Sequence, residues 1–151
     1  MTQFPDFSLE SSDGGTVSRA DLTGQPYVIY AYPKDLTPGC TTESCDFRDN
    51  LTRIQGQGVR LFGLSPDPLT SHARFIAKHE LNFPLLADPD KRLLQALACW
   101  KEKKNDGKAS MGVERSTWLV GADHEILREW RKVKVDGHVQ EVLAAIDELL
   151  V

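Results

Sequence analysis

The sequence predicts an α/β fold in which a central mixed β-sheet is flanked by helices and extended at its N-terminus by a β-hairpin. Three observations carry this expectation. Through the middle of the chain, short β-rich runs alternate with helical patterns, as in parallel strands joined by crossover helices. One run, Tyr27-Val-Ile-Tyr-Ala-Tyr32, is nearly continuous apolar sequence, as in a strand buried on both faces. Further on, two runs flank Gly121-Ala-Asp-His124, whose Gly and Asp suit a hairpin turn, so an antiparallel pair should close the sheet.

Taken in order, the segment Phe7 to Val17 suggests the N-terminal hairpin, and Tyr27 to Tyr32 the first central strand. Pro38 to about Ile54 carries Phe47, Leu51 and Ile54 at helical spacing. Val59 to Leu64 follows a Gly-containing turn and reads as a second strand. Pro68 to His79 opens on Asp67-Pro68, a cap followed by proline at the first helical position. Phe83 to Leu86 is a short strand, and the leucine-rich stretch from Asp90 to Trp100 reads as a helix. Ser116 to Val120 and Glu125 to Trp130 form the closing hairpin. Val139, Val142, Leu143, Ile146, Leu149 and Leu150 then draw the apolar stripe of a final helix. A thioredoxin-like sheet fits this order best, with residues 1–151 as a single domain.

Composition narrows the class. The chain has 151 residues, 40% hydrophobic and 26% charged, enough for one core without metal or disulfide staples. Its net charge is −4, from 18 basic and 22 acidic residues, which leaves no nucleic-acid footprint. The basic run Lys101-Glu-Lys-Lys104 with Lys108 reads as a solvated loop. No apolar run approaches the ~20 residues of a membrane span, and the first residues lack a signal-peptide pattern, so a cytoplasmic location is expected. The three cysteines are an odd number and argue against a disulfide framework, leaving inert thiols, a metal site or redox chemistry.

The chemistry concentrates after the buried strand, in Pro33-Lys-Asp-Leu-Thr-Pro-Gly-Cys-Thr-Thr-Glu-Ser-Cys45. Thr37-Pro38 is a helix start, with threonine as N-cap and proline at the first position. Cys40 then falls in the first turn, where free backbone N–H groups and the helix dipole favour an anion. A thiol so placed tends to ionise, and only the thiolate is a nucleophile. Donors that could polarise an O–O bond are the N–H groups of Gly39 and Cys40, the Thr37 hydroxyl, and Arg115 at the start of the strand Ser116–Val120. Cys45 is five residues beyond Cys40, which in a regular helix separates their Cα atoms by roughly 8–9 Å, beyond the ~7 Å limit for a disulfide. At 100° per residue Cys40 lies within about 20° of Phe47 and Cys45 about 160° away. A disulfide between them requires the first turns to unwind.

With these residues in view, the segment Tyr30 to Asp49 resembles the active-site segment of the Q-type peroxiredoxins, also called bacterioferritin comigratory proteins. Its Pro-x3-Thr-x2-Cys pattern is met by Pro33, Thr37 and Cys40, and Met111 to Val120 resembles a second landmark whose arginine matches Arg115. Phe4-Pro-Asp-Phe7 and Leu86-Ala-Asp-Pro-Asp90 also fit. The resemblance implies a thioredoxin fold and the reduction of hydrogen peroxide and organic hydroperoxides. It further implies Cys40 as peroxidatic and Cys45 as resolving cysteine, Thr37 and Arg115 as orienting groups, and Pro33 as a shield. Thioredoxin or a related dithiol protein would be the reductant, with no metal or other cofactor and a monomeric state. Leu36 and Asp46 depart from the residues most often found there, and Trp118 replaces a more usual Phe, which is expected to narrow the pocket wall. Phe47, Trp100 and Trp118 are candidates for the site's entrance.

Other readings stay open on the residues alone. Cys99, among Leu93-Leu-Gln-Ala-Leu-Ala98 and Trp100, reads as a core thiol, with a back-up resolving role as the alternative. His72 and His79, seven residues apart, read as surface residues and make no usual zinc set with the cysteines. A thiol–disulfide exchange enzyme, a redox sensor and a zinc module are the rival functions. The five-residue cysteine interval counts against the first, and the lack of neighbouring ligands against the last.

Overall fold

The computed structural model describes residues 2–105 and 107–150. Its centre is β3 (Tyr27–Ala31), every residue of which is buried. The strand lies between parallel β4 (Arg60–Ser65) and antiparallel β8 (Ser116–Val120), with Ile29 opposite both Phe62 and Trp118. Outward from β4 lie β5 (Leu85–Ala87), β1 (Ser8–Ser11) and β2 (Thr16–Ser18), and outward from β8 lies β9 (Ile126–Trp130). The mixed seven-stranded order is β2-β1-β5-β4-β3-β8-β9. Strands β3, β4 and β5 run parallel and the outer pairs antiparallel.

Because side chains alternate across a strand, the sheet divides the core in two. Val28, Tyr30 and Tyr32 face one layer, where α1 (Pro38–Gly56) buries Phe47, Leu51 and Ile54. There α2 (Leu69–His79) contributes Phe75, and α4 (His138–Leu149) contributes Val139, Val142, Leu143 and Ile146. Tyr27, Ile29 and Ala31 face the other layer, with Phe4, Phe7, Leu22, Trp118 and the leucines of α3 (Arg92–Ala96). This is the thioredoxin-like arrangement expected, with its N-terminal β1–β2 hairpin.

Several local expectations are corrected. The stretch Asp90 to Trp100 is not one long helix: α3 spans only Arg92–Ala96. The Asp88 carboxylate accepts the N–H groups of Arg92 and Leu94, starting the helix late, and Ala98 at φ 57° turns the chain out of it. The lysine-rich segment is not a loop. It forms β6 (Trp100–Asn105), paired antiparallel with β7 (Lys108–Val113). Lys101 to Lys103 and Lys108 to Met111 are exposed, so no inside–outside alternation marks this ribbon in the sequence. Pro68 is itself the N-cap of α2, and Asp67 caps nothing there. His72 is no surface residue; it is fully buried, whereas His79 on the same helix is half-buried with its ring edge-on to Phe75.

Candidate active site

The parallel strands β3 and β4 deliver their C-terminal ends to one edge of the sheet, and the turn from β3 into α1 covers that edge. Thr37 is the N-cap of α1, with extended backbone at φ −84° and ψ 154°, and Pro38 is the first helical residue. The first helical hydrogen bond runs from the Thr41 N–H to the Thr37 carbonyl at 2.8 Å, leaving the Gly39 and Cys40 N–H groups without a partner inside the helix. The Thr37 hydroxyl does not cap. It donates to the Lys34 carbonyl at 2.8 Å, which leaves its oxygen lone pairs available as acceptors.

Cys40 is 1% exposed and its sulfur accepts an N–H from Arg115 Nη2 at 3.2 Å. Arg115 arrives between β7 and β8, and its carbonyl is held by the Val133 N–H at 3.0 Å. Its other terminal nitrogen, Nη1, donates to Glu43 Oε1 at 2.7 Å. The planar guanidinium therefore bridges sulfur and carboxylate, a geometry an ammonium cannot copy. Glycine at position 39 makes room for it: a Cβ there would lie 3.3 Å from Arg115 Nη2.

Glu43 was not among the candidates in the sequence. It is fully buried, three residues after Cys40, and Oε2 accepts no hydrogen bond from the described residues. Burial pushes its carboxyl up to about 7, while Arg115 pulls the other way. The available signal was spacing, since i+3 on a helix lies on the same side as Cys40. Behind it, Tyr30 hydrogen-bonds with Ser44 at 2.7 Å and stacks on Phe47 with ring centroids 4.5 Å apart. Burial holds the Tyr30 phenol well above its ordinary range.

The structure thus brings Thr37, Cys40 and Arg115 to one place, with half-buried Pro33 opening the same turn. Leu36 in that turn is 42% exposed and adopts φ 66°, the left-handed region that disfavours a leucine. Cys45 lies one and a half turns along the intact α1, half-buried, and all three cysteines are free thiols. Cys99 is 0% exposed on the far side of the sheet, where it donates to the Leu94 carbonyl at 3.4 Å. Burial pushes its thiol up to about 12.

Trp118 does not narrow a pocket around Cys40. It shares the layer of Cys99, its indole N–H donating to Glu129 at 2.7 Å and its ring lying under the Arg131 guanidinium. Trp100 is likewise on that far layer, and Phe47 is a buried wall rather than an entrance. Among the described residues no three or more His, Cys, Asp or Glu side chains gather to hold a metal ion, and no helix is long and apolar enough to cross a membrane.

Comparison with known proteins agrees with this geometry. The profile of the AhpC/TSA family matches residues 1–128. Peroxiredoxin Bcp of Bacillus subtilis is 46% identical over 145 residues, 96% of this chain and 92% of that protein. A structure of Xanthomonas campestris peroxiredoxin Q superposes with a TM-score of 0.92 at 41% identity, covering 96% of this chain and 92% of that one. A structure of the Xanthomonas campestris bacterioferritin comigratory protein, described for its alkyl peroxide reduction activity, superposes with a TM-score of 0.91 at 41% identity over the same shares of the two chains. With a nucleophile, a guanidinium and a helix start converging at one sheet edge, and with relatives matched nearly end to end, this chain belongs to the AhpC/TSA family, in its peroxiredoxin Q branch.

Proposed function

We propose that this peroxiredoxin reduces hydrogen peroxide and organic hydroperoxides with Cys40 as the peroxidatic cysteine and Cys45 as the resolving one. The observation that carries the reading is the 3.2 Å contact between Arg115 Nη2 and Cys40 Sγ in the first turn of α1. The Cys40 thiolate attacks the terminal oxygen of the peroxide. An S–O bond forms, the O–O bond breaks, and the leaving oxygen departs as alcohol or water after taking a proton. Arg115 and the Gly39 and Cys40 N–H groups offset the charge that grows on those oxygens. The Thr37 oxygen accepts the hydrogen bond of the peroxide O–H, and Pro33 limits water. The Cys45 thiol then displaces hydroxide from the Cys40 sulfenic acid, giving a disulfide and water. Thioredoxin or a similar dithiol protein returns both thiols.

The chain is further read as one domain over 1–151, monomeric and cytoplasmic, needing no cofactor. Exchange with protein disulfides is disfavoured by the five-residue interval between Cys40 and Cys45 and by the burial of the reduced Cys40, 1% exposed while α1 is intact. The test is peptide mapping by mass spectrometry after one equivalent of hydrogen peroxide. Trypsin releases Cys40 and Cys45 in one peptide, between Lys34 and Arg48, and Cys99 in another ending at Lys101. Loss of two hydrogens from the first peptide with Cys99 untouched is expected. A cross-link from Cys40 to the Cys99 peptide would reassign the resolving residue, and no reaction at all would sink the Cys40 assignment. Replacing Cys45 by Ser should leave Cys40 sulfenic acid without a partner and send it to sulfinic acid in excess peroxide.

A further inference from the structure

Directly behind the turn that carries Thr37 lies a buried acid–base pair that the chemistry above leaves unused. Asp35 and His72 are 4% and 0% exposed, and His72 Nδ1 stands 2.7 Å from Asp35 Oδ2. The other ring nitrogen, Nε2, lies 3.0 Å from the Leu86 carbonyl, which can only accept, so Nε2 carries a proton. One proton lies between Nδ1 and Oδ2, and the pair is neutral as a unit whichever atom holds it. Two hydroxyls donate to the same carboxyl group: Tyr32 to Oδ1 at 2.5 Å and Ser71 to Oδ2 at 2.8 Å. The Asp35 side chain thus ties the turn directly to Tyr32 at the end of β3 and to Ser71 and His72 of α2, and through His72 to β5.

Buried pairs of this kind add little stability over apolar packing of the same volume, because removing them from water costs as much as the pairing returns. What the pair does supply is a fixed position. The Asp35 N–H donates to Asp67 Oδ2 at 2.8 Å, and that oxygen also accepts the Ser65 hydroxyl at 2.7 Å, so main chain and side chain of Asp35 are both anchored. The next residue, Leu36, sits at φ 66°, a conformation leucine does not choose by itself. After it comes Thr37, whose carbonyl starts α1. Local preference does not hold this turn; the anchor at Asp35 does.

We infer that the Asp35–His72 pair is a positioning clamp that holds the turn before α1 in its peroxide-reactive geometry and opposes the unwinding by which Cys45 reaches Cys40. The inference rests on the reading of Cys45 as the resolving cysteine. In that step the S–S bond forms as the S–O bond of the Cys40 sulfenic acid breaks, and water leaves with the Cys45 proton, so no further oxidant is required. A tight clamp favours the first step and slows the second; a loosened clamp does the reverse.

The test follows both steps in the full chain by rapid quenching after mixing with hydrogen peroxide, with Cys40 oxidation and the Cys40–Cys45 disulfide counted separately by mass. Asp35→Ala should slow Cys40 oxidation about tenfold through misplacement of Thr37 and the first turn. It should also speed disulfide formation and lower the sulfinic fraction in excess peroxide. Asp35→Asn keeps the shape, its amide donating to His72 Nδ1 and its oxygen accepting from Tyr32, and should bring oxidation back to within about twofold of the parent. Ser71→Ala removes one donor without emptying the core, and should move both steps in the same opposed directions by less. It decides the matter if Asp35→Ala does not fold. Rates that match the parent, or that fall together without rescue by asparagine, overturn the clamp. A parent protein that forms no Cys40–Cys45 disulfide overturns the Cys45 reading instead.

Discussion

Cys40 and Cys99 are equally hidden, 1% and 0% exposed, yet they sit on opposite layers of the same sheet with different hydrogen-bond partners. Around Cys99 there are leucines and a carbonyl that accepts the thiol's hydrogen bond, and burial drives its ionisation up to about 12 even though the Arg131 guanidinium pulls the other way. Around Cys40 there is a guanidinium at 3.2 Å and the open N–H end of a 19-residue helix. Burial alone therefore says nothing about reactivity. What matters is whether the groups that replace water donate or accept.

The sharpest way to break this comparison is to exchange the roles. Cys40→Ser should abolish peroxide consumption, a loss of about 10⁴-fold or more, as expected when a nucleophile is removed. Cys99→Ala should leave it within about twofold. Stopped-flow loss of peroxide reads both, and a slow Cys99→Ala variant would mean the far-layer thiol takes part. Next in size, Arg115→Lys keeps a positive charge but cannot reach Cys40 and Glu43 together. A fall of about 10²-fold in kcat/KM is expected, comparable with loss of one oxyanion donor. An unchanged rate would show that charge without bridging geometry is enough.

Glu43 sharpens the contrast through pH. Its carboxyl titrates near 4.5 in an open chain and near 7 in the fold. Below 4.5 both states hold the proton and the residue is neutral in stability. As pH rises towards 7 the unfolded chain gives up its proton first, so the fold is increasingly penalised, by on the order of 3 kcal/mol at most, and the penalty then stays constant. Glu43→Gln should therefore gain stability over the parent between pH 4.5 and 7 and hold that gain above, as read by thermal melts at a series of pH values. A gap that does not change with pH would mean that the carboxyl titrates in the fold as it does in the open chain. The smallest effect is expected at Leu36, where Leu36→Asn suits the left-handed backbone better and should stabilise by about 0.5–1 kcal/mol in denaturant titration.

Much of this arrangement could be read in the residues. The β3 strand announces itself by an unbroken apolar run, α1 and α4 by their stripes, and the Thr37-Pro38 start places Cys40 in the first turn where the structure has it. Elsewhere local pattern was a poor guide for definite reasons. From Lys101 to Lys103 and from Lys108 to Met111 the β6–β7 ribbon is exposed on both faces, so these lysines look like those of any loop. His72 counts as polar, yet both ring nitrogens are paired inside the protein, and a buried, fully paired histidine leaves no trace in hydropathy. Trp118 could have been assigned correctly. It alternates with Thr117 and Leu119, and the side of β8 that faces Cys40 belongs to those two. Glu43 needed the helix wheel to be extended from apolar residues to charged ones.

One property of α1 has a kinetic side. The helix is two segments in series: a leading part with exposed Pro38, Gly39 and Thr42, and a trailing part bolted to the sheet from Phe47 through Leu51 and Ile54. Melting the leading turns breaks a few backbone hydrogen bonds together with the Arg115 contacts to Cys40 and Glu43 and the Tyr30–Ser44 bond, and leaves the trailing part packed on the sheet. Re-formation then starts from an existing helical end, so it skips the unfavourable nucleation step and adds residues at about a nanosecond each. Rewinding is thus far faster than an encounter with peroxide or reductant, so on the proposed mechanism any conformational delay falls on the unwinding that the Asp35–His72 clamp opposes.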